Sequence, residues 1–212
     1  SNGGSTTASA KVSENTKVVT TVTSTDVDAG ATLTYSIVGG LDATKFAINS
    51  TTGALSFVSA PNFEAPADSG ANNIYDVTVQ VSDGSLTDTQ SIAVTVNNVN
   101  EAPAITSSGG GSTALISVAE NVAAVTTVTS SDVDAGAIRT YAITGGADAS
   151  KFVINASTGA LSFASAPDYE KPTDSGANNT YDVTVQVSDG TLSDTQAISV
   201  KVNDVAETAS GS

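Results

Sequence analysis

The chain contains no cysteine, histidine, tryptophan or methionine among its 212 residues. Without cysteine it forms neither disulfides nor thiolate metal sites, and without histidine it also lacks the other preferred ligand of zinc. The same absences remove the commonest general base and the thiol nucleophile of enzymes, and no glycine-rich phosphate loop opens a helix. We therefore predict that the protein is not an enzyme.

Basic residues and long apolar runs are also scarce. The chain has 7 Lys and Arg against 22 Asp and Glu, a net charge of −15. This charge repels the phosphates of nucleic acids and the surface of anionic membranes, so cations are the expected partners. No apolar run is long enough to span a bilayer. The opening Ser1–Ser5 is typical of a linker, so we expect a segment of a longer protein.

Two nearly identical copies of one unit fill the sequence. The decapeptide YDVTVQVSDG occurs at residues 75–84 and again, 106 positions later, at residues 181–190. A self-similarity at a fixed period indicates repeated structural units. We predict two domains, residues 1–102 and 103–212, that meet around Asn97–Pro103.

Within each copy, apolar and polar residues alternate with a period of two. In residues 74–82, tyrosine and valine alternate with polar residues, which is typical of a half-buried strand. Similar patterns predict seven strands in the first copy, and the first strand of the second copy near residues 115–118. Those of the first copy lie at residues 11–13, 18–24, 32–38, 46–49, 54–59, 74–82 and 89–97. With no helical period, this predicts an all-β protein of two tandem immunoglobulin-like Greek-key sandwiches.

The predicted strand order sorts the acidic residues to the two ends of each domain. If successive strands run antiparallel, segments that follow odd strands share one end, the lower pole, and segments that follow even strands share the upper pole. The lower pole of the first copy then holds Glu14, Glu64, Asn98, Asn100 and Glu101; its upper pole holds Asp26, Asp28 and Asp83; the upper pole of the second copy holds Asp132, Asp134 and Asp189. Because the junction joins a lower pole to an upper pole, we expect the first and third sets to lie together.

The six carboxylates of those two sets predict a bound cation, because like charges repel strongly at low dielectric. Ca²⁺ suits them, since it takes 6–8 oxygen ligands in flexible geometry, whereas Mg²⁺ retains water and prefers strict octahedra. Each acidic residue alone, such as Asp83 before Gly84, is explained by turn chemistry. Asp68 and Asp174, in two D-S-G-A-N-N segments, are explained by loop polarity. The joint position of the set is what predicts a site.

The order of these motifs resembles the cadherin repeat, in particular the cadherin-like repeats of large bacterial surface and secreted proteins. Both copies carry Glu-Asn after the first strand, Asp-x-Asp after the second, a triplet ending in Glu after the fifth and Val-Ser-Asp-Gly after the sixth. The resemblance implies Ca²⁺ at the poles and adds a lower-pole set in the second copy: Glu120, Asp168, Glu170, Asp204 and Glu207. Asn62 and Asn98 replace aspartates of the family pattern, and Ala206 replaces a linker ligand, which implies fewer or weaker ions.

The resemblance implies an extracellular, secreted or cell-surface location and three functional hypotheses. The first is a Ca²⁺-stiffened structural segment of a bacterial adhesin or matrix protein, with neighbouring repeats as partners. The second is Ca²⁺-dependent polysaccharide binding, for which Phe63 and Tyr169 are the best exposed aromatic candidates. The third is homophilic adhesion, which is less favoured because the first strand has no tryptophan to act as an anchor.

Overall fold

The structure, a computed structural model, describes residues 5–28 and 30–206 and divides into two units between Val99 and Asn100. The first unit confirms the seven predicted strands, each shifted by at most a few residues. They are β1 (Thr7–Ser13), β2 (Val18–Thr21), β3 (Thr34–Gly39), β4 (Phe46–Ile48), β5 (Ala54–Phe57), β6 (Ile74–Ser82) and β7 (Thr87–Asn97). A 3₁₀ turn, Ala43–Lys45, precedes β4.

The second unit repeats this order and contains two additional short strands. Its strands are β8 (Ala104–Ile105), β9 (Thr113–Ala119), β10 (Ala124–Thr127), β11 (Ser130–Ser131), β12 (Thr140–Gly145), β13 (Phe152–Ile154), β14 (Ala160–Phe163), β15 (Thr180–Ser188) and β16 (Ser193–Asn203). A 3₁₀ turn, Ala149–Lys151, precedes β13, and residues 107–110 form an irregular turn in which Ser108 and Gly109 have positive φ. The β8–β11 pair was not predicted, because two residues are too few to show an alternating pattern.

Each unit is a sandwich of a four-stranded and a three-stranded sheet. The first unit has the orders β1-β7-β6-β3 and β2-β5-β4, and the second has β9-β16-β15-β12 and β10-β14-β13. Strand β1 pairs in parallel with β7, and β9 pairs in parallel with β16, while the remaining pairs are antiparallel. Because β1 and β7 run in the same direction, the segments that follow them leave the sandwich at the same end.

The alternating residues of the strands fill the space between the sheets. In β6, Tyr75, Val77 and Val79 are buried, while the intervening Asp76 is exposed. Phe46 stacks on Phe57 with ring centroids 4.6 Å apart, and Tyr75 meets Phe57 edge-on at 5.1 Å. The second unit repeats this aromatic group with nearly the same geometry. Burial of these apolar surfaces supplies the main favourable term for folding each unit.

Candidate cation-binding poles

Glu14, directly after β1, is the central residue of the lower pole of the first unit. Its side chain is 2% exposed. Oε2 accepts a hydrogen bond from the Phe63 N–H at 2.9 Å, and Oε1 accepts one from the Val99 N–H at 2.8 Å. One carboxylate therefore connects the end of β1 to the segments that follow β5 and β7. The left-handed Asn15 (φ 60°) turns the chain behind it.

Glu120 repeats this arrangement in the second unit and is also 2% exposed. Its Oε2 and Oε1 accept hydrogen bonds, both 2.9 Å, from the N–H groups of Tyr169 and Val205. The Tyr169 N–H, followed by the Val205 N–H, holds the pKa of Glu120 below its usual value, because both bonds favour the charged carboxylate. Glu120 is thus an ionised acceptor oriented by the backbone.

Two further carboxylates lie beside Glu120. Oxygen atoms of Glu120, Asp168 and Glu170 all lie within 4.8 Å of one another. The Lys171 ammonium is 3.8 Å from Asp168 and is exposed to solvent. In the first unit, oxygens of Glu14 and Glu64 likewise approach within 4.8 Å. Hard carboxylate oxygens at this spacing repel one another and form a donor set that fits Ca²⁺.

The upper poles contain aspartates held in turns. In the first unit, Asp26 Oδ1 accepts the Asp28 N–H at 2.9 Å, and Asp83 Oδ1 accepts the N–H groups of Leu86 and Ser85, both at 2.7 Å. The bonds from Leu86 and Ser85 lower the pKa of Asp83. Each turn engages one carboxylate oxygen in these bonds.

The upper pole of the second unit also binds the first two residues of that unit. The Asn100 amide donates to Asp189 Oδ2 at 2.7 Å, and the Glu101 N–H donates to Asp134 Oδ2 at 2.8 Å. The Asn100 bond is the largest cause of the lowered pKa of Asp189. Asp132 Oδ2 is buried and accepts no hydrogen bond from the described residues. A buried carboxylate oxygen without a donor is destabilising, and a hard cation would compensate it.

Several of the predicted ligand residues do not lie in a carboxylate cluster within their own unit. Within a single unit, Glu120, Asp168 and Glu170 form the one carboxylate trio found among the described residues, and the upper-pole aspartates form none. Asn98 and Asp204 lie exposed after β7 and β16, and Glu207 lies outside the described residues. The expectation of an exposed Phe63 is wrong, because its side chain is half-buried against the core, whereas Tyr169 is 36% exposed.

Sequence reasoning missed a set of buried aspartates with a structural role. Asp68 accepts three hydrogen bonds of 2.9, 3.0 and 3.1 Å from backbone N–H groups of its own loop. Asp42 accepts the N–H groups of Ser69 and Asp76 at 2.7 and 2.9 Å. Asp174 and Asp148 do the same in the second unit. Recurrence of the D-S-G-A-N-N segment in both copies was the signal that could have identified the loop.

Comparison with known proteins places both units in one family. The Cadherin domain matches residues 8–97 and 115–203. Protocadherin Fat 1 from Homo sapiens is 31% identical in an alignment of 212 residues that covers 92% of this chain, and the chain spans 4% of the length of that protein.

Solved structures show the same fold. Human Protocadherin-24 EC1-2 (Form II) superposes with a TM-score of 0.60 and 22% identity, covering 93% of this chain and 95% of that one. Human CDH23 EC21-23 gives a TM-score of 0.58 and 20% identity, covering 95% and 74%. The predicted all-β fold of two tandem domains is therefore confirmed.

Cadherin domains are extracellular structural and adhesion modules, and they are known to bind Ca²⁺ at the linkers between repeats. Within residues 5–28 and 30–206, no helix has the length and apolarity that crossing a membrane requires. The family matches cover most of both copies of the repeat. The chain belongs to the cadherin domain family and consists of two tandem repeats of it.

Proposed function

We propose that this chain is a Ca²⁺-binding segment of an extracellular adhesin or matrix protein of a bacterium, in which Ca²⁺ stiffens the junction between two cadherin repeats. The observation that carries the proposal is the way the backbone of the junction is held. The Val99 N–H is bonded to Glu14 of the first unit, and the side chain of the next residue, Asn100, is bonded to Asp189 of the second unit.

The covalent chain supports a single site at the junction. Val99 is bonded to Glu14, and the next residue, Asn100, is bonded to Asp189. Because consecutive Cα atoms are about 3.8 Å apart, these two carboxylates are each attached to one of two neighbouring residues of the chain. We propose that both poles contribute to that site, with the ligands Glu14, Glu64, Asn98, Asn100, Glu101, Asp132, Asp134 and Asp189. The domain limits at residues 102 and 103 are part of the same proposal.

The residues of the chain have distinct roles in this site. Glu14 is oriented by two backbone N–H groups, so it presents a rigid carboxylate. Asp132 supplies a buried oxygen that accepts no hydrogen bond from the described part of the chain. Bound Ca²⁺ would neutralise the repulsion between these groups and add bonds across the junction. Without the ion, the junction is expected to act as a hinge.

The two outer poles are proposed as half-sites for neighbouring repeats of the longer protein. In the first unit these residues are Asp26, Asp28 and Asp83; in the second they are Glu120, Asp168, Glu170, Asp204 and Glu207. The carboxylate trio around Glu120 supports the second half-site. Lys171, whose ammonium lies 3.8 Å from Asp168, is expected to weaken cation binding there by competing for its carboxylate.

Calorimetric titration with CaCl₂ tests the proposal. The wild-type chain is expected to bind Ca²⁺ with a Kd on the order of 10⁻⁴–10⁻³ M, the class of extracellular modules. Asp134→Ala removes the partner of the Glu101 N–H and is expected to weaken binding at least about tenfold. Asp88→Ala, at an exposed carboxylate on β7 that belongs to none of the proposed ligand sets, is the control. Absence of binding heat and of any change in melting temperature in the wild type would contradict the proposal.

Polysaccharide binding is the second candidate, and the exposure of Tyr169 favours it. This ring is 36% exposed and immediately precedes Glu170 of the carboxylate trio. Ca²⁺ at this open pole would bind sugar hydroxyls while the ring stacks on the sugar face. Co-sedimentation with insoluble polysaccharides, compared in CaCl₂ and in EDTA for the wild type and Tyr169→Ala, distinguishes the two functions. Equal amounts of sedimented protein in all conditions would rule out Ca²⁺-dependent polysaccharide binding and leave only the structural function.

A further inference from the structure

The D-S-G-A-N-N segments end in an asparagine to which the proposed function assigns no role. Asn73 directly precedes β6, is 9% exposed and adopts a left-handed conformation with φ 62°. Its N–H donates to Asp68 Oδ1 at 3.0 Å, so the buried aspartate of the loop holds this residue in place. Asn73 is therefore a fixed point between the loop and the strand.

Asn73 contacts both segments that bind Glu14. Its side-chain Nδ2 donates to the Phe63 carbonyl at 2.9 Å, and the Phe63 N–H donates to Glu14 Oε2 at 2.9 Å. Its carbonyl accepts the Val96 N–H of β7 at 2.9 Å, and the chain continues from there to Val99, whose N–H donates to Glu14 Oε1 at 2.8 Å. One residue thus connects the two backbone amides that orient the Glu14 carboxylate.

The second unit contains the same set of bonds. Asn179 has φ 61°, donates through Nδ2 to the Tyr169 carbonyl at 2.9 Å, and accepts the Val202 N–H at 2.9 Å. Tyr169 and Val205 are the residues whose N–H groups bind Glu120. The arrangement persists although the first unit has Phe63 where the second has Tyr169, and Asn62 where it has Asp168. It does not depend on these side chains.

The left-handed backbone conformation alone does not explain why asparagine occupies positions 73 and 179, whereas its side-chain amide does. Oδ1 of Asn73 and of Asn179 is buried and accepts no hydrogen bond from the described residues, which is destabilising. Glycine would adopt the same positive φ without burying that oxygen. The donor group on Nδ2 is therefore the property that asparagine adds at this position.

We propose that Asn73 and Asn179 are positioning residues that set the affinity of the lower poles for a cation. By holding the Phe63 and Tyr169 carbonyls next to the start of the following strand, they fix the spacing of the amides that orient Glu14 and Glu120. The inference rests on the proposed function, because it assumes that these carboxylates bind Ca²⁺.

Asn73→Gly tests this inference, because it keeps the left-handed conformation and removes the donor. Amide resonances in ¹⁵N-resolved NMR spectra are followed during titration with CaCl₂, with Val99 reporting on Glu14 and Val205 on Glu120. Asn73→Gly is expected to weaken the titration midpoint at Val99 about 3- to 10-fold, the effect of one hydrogen bond, and to leave the midpoint at Val205 unchanged. Asn179→Gly is expected to give the reverse.

Asn72→Gly is the matched control, because the Asn72 side chain is exposed and accepts the Ile74 N–H within the same loop. If the role of Asn73 is merely structural, Asn73→Gly will lower the melting temperature equally in EDTA and in CaCl₂, and its titration midpoint at Val99 will equal that of the wild type. That result would overturn the inference. Hydrogen exchange of the Phe63 amide in EDTA is expected to be faster in Asn73→Gly, and an unchanged rate would also overturn it. Absence of any wild-type shift at millimolar CaCl₂ would instead refute the proposed function.

Discussion

At the scale of the residue, this protein uses buried carboxylates bonded to backbone N–H groups. Glu14 accepts amides that lie 49 and 85 positions further along the chain, so it closes two long loops at one point. Asp42 accepts amides 27 and 34 positions further along the chain, whereas Asp68 holds its own loop before β6 through amides two to five positions away. Hydrogen bonds to an ionised acceptor are roughly twice as strong as those between neutral groups. These carboxylates therefore contribute to folding before any cation binds.

The lowered pKa of Glu120 predicts a dependence of stability on pH. A carboxyl group whose pKa is lower in the folded state binds fewer protons there than in the unfolded chain, so its contribution is present above the unfolded pKa and is lost as pH falls through the folded pKa. As the pH is lowered below about 4.3 in EDTA, the urea concentration at the unfolding midpoint of the wild type is expected to decrease. The midpoint of Glu120→Gln is expected to decrease less steeply over the same pH range. Parallel curves for the two proteins would contradict this prediction.

Asp68→Asn tests the structural carboxylates. The substitution places an NH₂ group against backbone donors and removes charge-assisted hydrogen bonds, so we expect the free energy of unfolding to fall by about 2–3 kcal/mol. Urea unfolding of the calcium-free protein measures the change. Asp88→Asn, whose exposed carboxylate accepts the adjacent Thr89 N–H, is the control and is expected to change stability by less than about 0.5 kcal/mol. Equal stabilities of the two variants would show that Asp68 has no special role.

At the scale of the element, the alternating patterns located the strands, and non-local contacts decided their details. Strand β6 was predicted with its observed limits, because apolar and polar residues alternate from Tyr75 to Ser82 and the apolar side packs into the core. The register shift between Ile37 and Gly39, by contrast, depends on pairing with β6, about 40 residues away. The β8–β11 pair also depends on segments distant in sequence, so its two-residue strands had no local signal.

Gly40 directly follows β3, and its substitution tests how the chain turns at the end of that strand. Its φ is +104°, and a Cβ there would lie 2.3 Å from the Asp76 carbonyl oxygen. Gly84, with φ +97° and no atom within 4 Å of its Cβ position, shares the backbone strain but not the clash. We expect Gly84→Ala to cost about 1–2 kcal/mol and Gly40→Ala about 3 kcal/mol or more, measured by urea unfolding in EDTA. Similar losses in both variants would show that the clash is relieved by a small backbone shift.

At the scale of the whole molecule, two small cores and four acidic poles are expected to make the stability depend on cations. The net charge of −15 opposes compaction, and a cation that binds the folded state stabilises it by mass action. At a Ca²⁺ concentration of 100 times the Kd, each site is expected to add about 2.7 kcal/mol. Calorimetric melting of the wild type is therefore expected to shift upwards in CaCl₂, and that of Asp134→Ala to shift less.

Stiffening of the junction predicts a change in dimensions as well as in stability. We expect small-angle X-ray scattering to give a longer maximum dimension in CaCl₂ than in EDTA, because bound Ca²⁺ would restrict bending at the junction. MgCl₂ at the same concentration is the control for ionic strength and for unspecific divalent cations, since Mg²⁺ dehydrates reluctantly. Identical scattering curves in CaCl₂ and EDTA would contradict the mechanical part of the proposal.

The sequence by itself determined the two copies and the longer strands, because these follow from a fixed repeat and from the two-residue period of a strand; the sorting of the acidic residues to common poles stays a prediction. Only the tertiary structure decided which carboxylates are buried. Glu14 and Asp42 are ordinary loop residues in sequence, and their burial depends on backbone amides from segments that only the folded sandwich brings next to them. The role of Asn73 has the same origin, since its two partners lie on opposite sides of it in the chain and meet only at the pole.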